Sequence, residues 1–163
     1  MNKNFYSLSV VMLIAFVAFG LISGCSESST NNATPKASIT FVVSGYINVN
    51  FTADTVTYMK LDTNNLCSIT GKMFYNNMEY VIQFTFKDDG SKKVFTIGTD
   101  NITPTFYVNS STLPDFYNIK PNGKFDITEN TAEKISGNFN FAADNKDGKS
   151  VFVKDGLFTA LKK

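Results

Sequence analysis

Three residue types are missing from this 163-residue chain: it has no histidine, no arginine and no tryptophan. Without histidine it lacks the side chain most often used as a general base or metal ligand near neutral pH. Without arginine it lacks the planar fork that grips carboxylates and phosphates in bidentate fashion. Cysteine is nearly absent too, with only Cys25 and Cys67. Formal charge is +1, and the segment before Cys25 contributes only Lys3 to it, so the remainder balances to zero. A neutral chain is poorly suited to tracking a phosphate backbone, and no nucleic-acid partner is expected. Nor does any segment after residue 24 show a 3.6-residue apolar period with a capping box, so no helix is expected there.

Long apolar runs are scarce, and the single one present sets the location. Lys3 precedes a stretch from Leu8 to Ile22 broken only by Ser9 and Gly20. At about 15 residues it is short for a membrane span, which needs about 20, and it has the layout of a secretory signal. It ends in Leu21-Ile22-Ser23-Gly24-Cys25. That order resembles the bacterial lipobox, in which cleavage after the residue at Gly24 would leave an acylated Cys25 at the new terminus. Residues 1–24 then form a cleaved signal helix, 25–36 a lipidated tether and 37–163 one domain. Each buried CH₂ of an acyl chain contributes about 0.8 kcal/mol, so two or three palmitate-like chains anchor a protein that does not span the bilayer. Ser26-to-Lys36 is polar and small, and reaches at most about 36–40 Å when extended. Ser26 in place of aspartate resembles the outer-membrane sorting pattern of Gram-negative lipoproteins. An envelope location follows, with the periplasmic or surface face left open.

From Ile39 the period is two. Ile39, Phe41, Val43, Gly45, Ile47, Val49 and Phe51 share one face, with Val42 and Tyr46 as apolar exceptions on the other. This is the pattern of a half-buried strand, divided near Gly45. Further strands are expected over Val56–Leu61, Leu66–Phe74, Glu79–Lys87, Val94–Ile97 and Ile102–Val108, where Pro104 suits an edge or a strand start. After a loop over Ser110–Pro114, alternation resumes at Phe125 and Ile127, at Ile135 to Phe141, at Val151 and Val153, and at Leu157 to Leu161. The turns between them carry Asn76-Asn77, Asp88-Asp89-Gly90-Ser91, Asn122-Gly123, Asp144-Asn145-Lys146-Asp147-Gly148 and Asp155-Gly156. The expectation is an all-β domain, a single antiparallel meander forming a β-sandwich or flattened barrel.

One portion of the chain resembles a known group. Tyr117-Asn118-Ile119-Lys120-Pro121-Asn122-Gly123-Lys124-Phe125-Asp126-Ile127-Thr128 is followed by Ile135-Ser136-Gly137-Asn138-Phe139-Asn140-Phe141, then Asp147-Gly148-Lys149-Ser150-Val151, then Lys154-Asp155-Gly156-Leu157-Phe158. The order is similar to that of a family of small, uncharacterised all-β lipoproteins of Gram-negative bacteria. The resemblance implies the fold and the anchor. It implies a close approach or bulge at Gly137 and a turn at Gly156, and brings no catalytic residues.

Candidate chemistry is thin. Cys67 lies in a strand-like run and is expected as a small buried hydrophobe rather than a nucleophile, since no histidine is present to activate it. Asp144-Asn145-Lys146-Asp147-Gly148 resembles a calcium loop, but Lys146 occupies a ligand position and no glutamate closes it, so a hairpin turn is expected. Asp88-Asp89 is expected as a solvated turn. Glu79, Asp126, Glu129 and Glu133 are the carboxylates available for a glycosidase-type pair. Asn50, Asn101 and Asn109 stand in Asn-x-Ser/Thr triplets without consequence in a bacterial lipoprotein. Most of the 16 phenylalanines belong to inward faces, whereas Tyr46, Tyr58, Tyr75, Tyr107 and Tyr117 are less tied to that parity. Exposed tyrosines suit protein or glycan contacts.

These features favour a monomeric, lipid-anchored envelope module without catalytic activity or cofactor, serving in binding or structure. The alternatives are a lipocalin-like carrier with an internal cavity for an apolar ligand, and a hydrolase working with carboxylates alone.

Overall fold

The computed structural model describes residues 34–62, 64–110 and 114–162. Gly24, Cys25 and the segment read as a signal lie outside the described residues, as does the tether up to residue 33. Thr34, Pro35 and Lys36 are exposed and carry no regular structure.

Eleven antiparallel strands follow: β1 (Ser38–Gly45), β2 (Val49–Thr52), β3 (Thr55–Lys60), β4 (Leu66–Tyr75), β5 (Met78–Lys87), β6 (Lys93–Thr96), β7 (Ile102–Asn109), β8 (Pro114–Ile119), β9 (Lys124–Asn130), β10 (Lys134–Asn145) and β11 (Ser150–Leu161). They form one antiparallel sheet curled into a half-barrel, in the order β2-β1-β11-β10-β8-β7-β5-β4-β3, with β9 joining β10 and β6 joining β9. The two ends of that order, β2 and β3, are consecutive in the chain. Ala53 N donates to Ile39 O on β1 at 2.9 Å and Asp54 N to Lys72 O on β4 at 2.7 Å. One extended segment therefore passes from the β1 edge to the β4 edge and supplies the terminal strand of the sheet at both ends.

Side-chain parity explains the layering. Ile39, Phe41, Val43 and Phe51 are buried, as the period-two pattern requires, while Val42 and Tyr46 point outward. Tyr80, Ile82, Phe84 and Phe86 of β5 and Ile135, Phe139, Phe141 and Ala143 of β10 face the same interior. That interior is filled by rings. Phe41 stacks on Phe51 at 4.2 Å and Phe125 on Phe158 at 4.7 Å, while Phe84 lies 4.6 Å from Phe125 and 4.8 Å from Phe139. Stacked and tilted rings at these distances pack densely and add to the area they bury.

Turn chemistry sets the registers. Asn76 and Asn77 both have positive φ, 49° and 59°, as a two-residue hairpin requires, and they join β4 to β5. Pro104 sits in β7, which β8 joins only from Phe106 onward, so the proline's stretch is locally an edge. Two expectations need correction. The loop expected over Ser110–Pro114 does not reach its last residue, since Pro114 opens β8, which runs to Ile119. Asp155-Gly156 is no turn between strands: β11 runs through it, with a register shift opposite Phe139 and Phe141 and Asp155 at φ 52°. The extra residue bends β11 and seats Gly156 against the Phe139 ring, whose nearest atoms would lie 2.5 Å from an added Cβ. Gly137 makes the close approach expected of it, since a Cβ there would collide with Asp126 O and the Phe158 ring.

Candidate functional site

The most concentrated polar site is centred on Asp88, just past the end of β5. Its side chain is 6% exposed. One carboxylate oxygen accepts from the Tyr58 hydroxyl and from Lys162 Nζ, each at 2.8 Å. The other accepts from Asn130 Nδ2 at 2.9 Å and from Gly90 N at 3.0 Å. Lys162, 14% exposed, also donates to Asn130 Oδ1 and lies 5.7 Å over the Tyr58 ring. Four parts of the chain meet here: β3, the β5 end, the β9 end and the residue after β11. They border an open depression of about 350 Å³ whose lining includes Lys60, Asn65 and Thr131.

Electrostatics define what this cluster can do. Burial raises the Asp88 pKa, but the bonds from Asn130, Lys162, Gly90 and Tyr58 outweigh it and hold the carboxyl at about 2. Tyr58 is pushed well above the usual phenol range, first by burial and then by its bond to Asp88. At neutral pH Asp88 is therefore an ion whose acceptor positions are filled, and Tyr58 a neutral phenol. Neither is poised to move a proton. The arrangement is a clasp, and the expectation of a solvated Asp88-Asp89 turn is corrected for Asp88; Asp89 remains exposed.

The other sequence candidates are dispersed. Cys67 is fully buried on β4; its thiol donates to Phe86 O at 3.4 Å, and burial first, then the Asp88 charge, pushes it up to about 11. It is the small core residue expected. Glu129 pairs with Lys134 at 2.8 Å, Asp126 accepts from Asn138 at 3.3 Å, and Glu133 is exposed in the β9–β10 turn. Glu79, at the start of β5, accepts from Asn109 at 2.8 Å and faces Lys72 at 3.2 Å; these two hold its carboxyl below the usual range. Asp144 and Asn145 end β10, and Lys146, Asp147 and Gly148 lie in the hairpin turn to β11. Asn145 Oδ1 there accepts from Asp147 N and Lys149 N, and Ser150 donates to Asp144. Among the described residues no group of three metal-ligating side chains converges. Of the five tyrosines singled out, Tyr46 and Tyr75 are exposed, Tyr58 and Tyr107 half-buried and Tyr117 buried.

Open depressions of about 420 and 500 Å³ flank the β10–β11 bulge on the outer side, sharing Asn140 and Asp155. The curled sheet itself is occupied by the phenylalanines.

Among the described residues, a ring-filled interior, a buried thiol and ion-paired carboxylates characterise this all-β half-barrel. The chain belongs to the family described as a domain of unknown function (DUF6252), which matches residues 29–162. No curated protein matches it, and no solved structure does.

Proposed function

We propose that this protein is a lipid-anchored, non-catalytic module of the cell envelope, held at the outer membrane through acyl chains on Cys25. It works by binding a protein or glycan, or by serving the envelope structurally. The observation that carries the reading is the order of the first 38 residues: a short apolar run, Ser23-Gly24-Cys25, a polar stretch, and then the first strand at Ser38. That is the order of an acylated tether followed by a folded head. The ring-filled interior supports a surface role over the carrier alternative, because a lipocalin-like ligand would need the volume that Phe84, Phe125, Phe139 and Phe158 occupy. The separation of the carboxylates into individual ion pairs and hydrogen bonds supports binding over hydrolysis.

Metabolic labelling with an alkyne analogue of palmitate tests the anchor. Wild-type protein is expected to take up label and sediment with membranes, and Cys25→Ser to do neither. Equal labelling of Cys25→Ser would refute the reading.

A further inference from the structure

The outer face of β4, β5, β7 and β8 has its own organisation, separate from the core. Register places Lys72, Val81, Tyr107 and Phe116 side by side across the four strands. In the next row lie Phe74, Glu79 and Asn109. Val81 is 1% exposed, yet it points away from the interior and is not part of the core cluster. It is covered from outside, with Tyr107 directly opposite. Tyr107 packs on Phe116 with ring centroids 5.2 Å apart and planes 40° apart. Phe116 is nonetheless 55% exposed and Phe74 66% exposed. Between these aromatics sits a pre-set polar trio, in which Glu79 is hydrogen-bonded by Asn109 and ion-paired with Lys72.

Toward the other end of the same strands the outward residues are almost all hydroxyls and amides. Thr57, Thr70, Gln83 and Thr105 form one row, and Thr85, Thr103, the buried Ser68 and the exposed Met59 form the next. Gln83 donates to Ser68 at 2.7 Å, and Ser68 and Thr70 are within 3.5 Å. In these rows and the trio the only charges are Lys72 and Glu79, which cancel; Lys87 lies beyond them, exposed at the end of β5. A face that is neutral, rich in fixed hydroxyls and amides, and bordered by exposed rings complements one kind of chain: uncharged, with many hydroxyls and with apolar ring faces. An anionic polymer would find no net positive charge here, and a hydrophobic protein surface would have to strip water from the polar trio and the hydroxyl rows.

We propose that this face is a platform for a neutral oligosaccharide chain. Phe116 with Tyr107, and Phe74, stack on sugar rings, while Glu79, Asn109 and Lys72 hydrogen-bond their hydroxyls. From Phe74 on β4 to Phe116 on β8 there are three strand spacings, about 14 Å, room for several sugar rings. The proposal rests on the reading of the protein as a binding module.

Affinity electrophoresis tests it, using the full-length protein in a detergent without a sugar headgroup. Native gels would contain a galactomannan, a mixed-linkage β-glucan or a dextran, with polygalacturonate as the anionic comparison. At least one neutral polymer is expected to retard the wild type. Phe116→Ala and Phe74→Ala, both at exposed positions, are expected to bind roughly five- to tenfold more weakly, and Phe152→Ala on β11 to bind as wild type. Retardation by none of the neutral polymers, retardation by polygalacturonate alone, or equal loss in Phe152→Ala would overturn the proposal. Reducing-end assays on the same mixtures separate the two readings: chain shortening that disappears with Phe116→Ala keeps the platform but ends the non-catalytic reading.

Discussion

Asp88→Asn is the sharpest perturbation the fold offers. The substitution preserves size and removes only the charge, leaving Lys162 buried without its counter-ion and introducing an NH₂ that must face either the Tyr58 and Lys162 donors or the Asn130 and Gly90 donors. The magnitude follows from the carboxyl's position at about 2 against an ordinary 3.8. At 1.36 kcal/mol per pKa unit this is about 2 kcal/mol of stability at neutral pH. Removing one partner from a fully buried pair costs roughly 3–5 kcal/mol; the 14% exposure of Lys162 and the open depression beside it argue for the lower part of the combined range, about 2–3 kcal/mol. The pKa is depressed on folding, so the contribution is complete above about pH 4 and is lost as pH falls toward 2. Urea titrations read by circular dichroism measure this directly. With a slope of about 1–2 kcal/mol/M for a domain of this size, Asp88→Asn is expected to move the midpoint down by roughly 1–3 M at pH 7. The gap to wild type should close as both are taken toward pH 2. An unchanged midpoint at pH 7, or a gap that persists undiminished at pH 2, would refute the clasp.

Gly137→Ala places a methyl group against Asp126 O and the Phe158 ring, where backbone has to move, and is expected to cost more than about 3 kcal/mol or to prevent folding; soluble yield and thermal midpoint check it. Cys67 is expected to resist a thiol reagent at pH 8 in the native protein and to react fully in denaturant, because its thiol is buried and titrates near 11. Fast native labelling at pH 8 would contradict that placement.

The all-β architecture was legible because the inward faces of β1, β5 and β10 carry apolar parity along most of their length, and parity is a local signal. β8 escaped for the converse reason. Pro114-Asp115-Phe116-Tyr117-Asn118-Ile119 has its largest apolar ring, Phe116, on the outer face, and a proline and an aspartate where alternation should begin. Asp155-Gly156 has the letters of a turn, and an aspartate followed by glycine serves a bulge as well as it serves a turn. The clasp was illegible for a different reason. Asp88-Asp89-Gly90-Ser91 has the letters of a solvated turn, and only the folded topology brings Tyr58, Asn130 and Lys162 to it. The outer platform was half visible: Tyr107 stood out from the parity, but its pairing with Phe116 depended on the strand that was missed.

The pairing of β1 with β11 sets the timing of folding. Ser38 faces Thr159 and Gly45 faces Val151, so the first strand made acquires this neighbour only when the eleventh is present. Until then β1 has β2 on one side and open hydrogen-bonding groups on the other. Contacts this remote in sequence slow the search for the native state, and β11, inserted between β1 and β10, makes it a closing step. A chain delivered strand by strand would spend its delivery with that edge of β1 unpaired until β11 arrives.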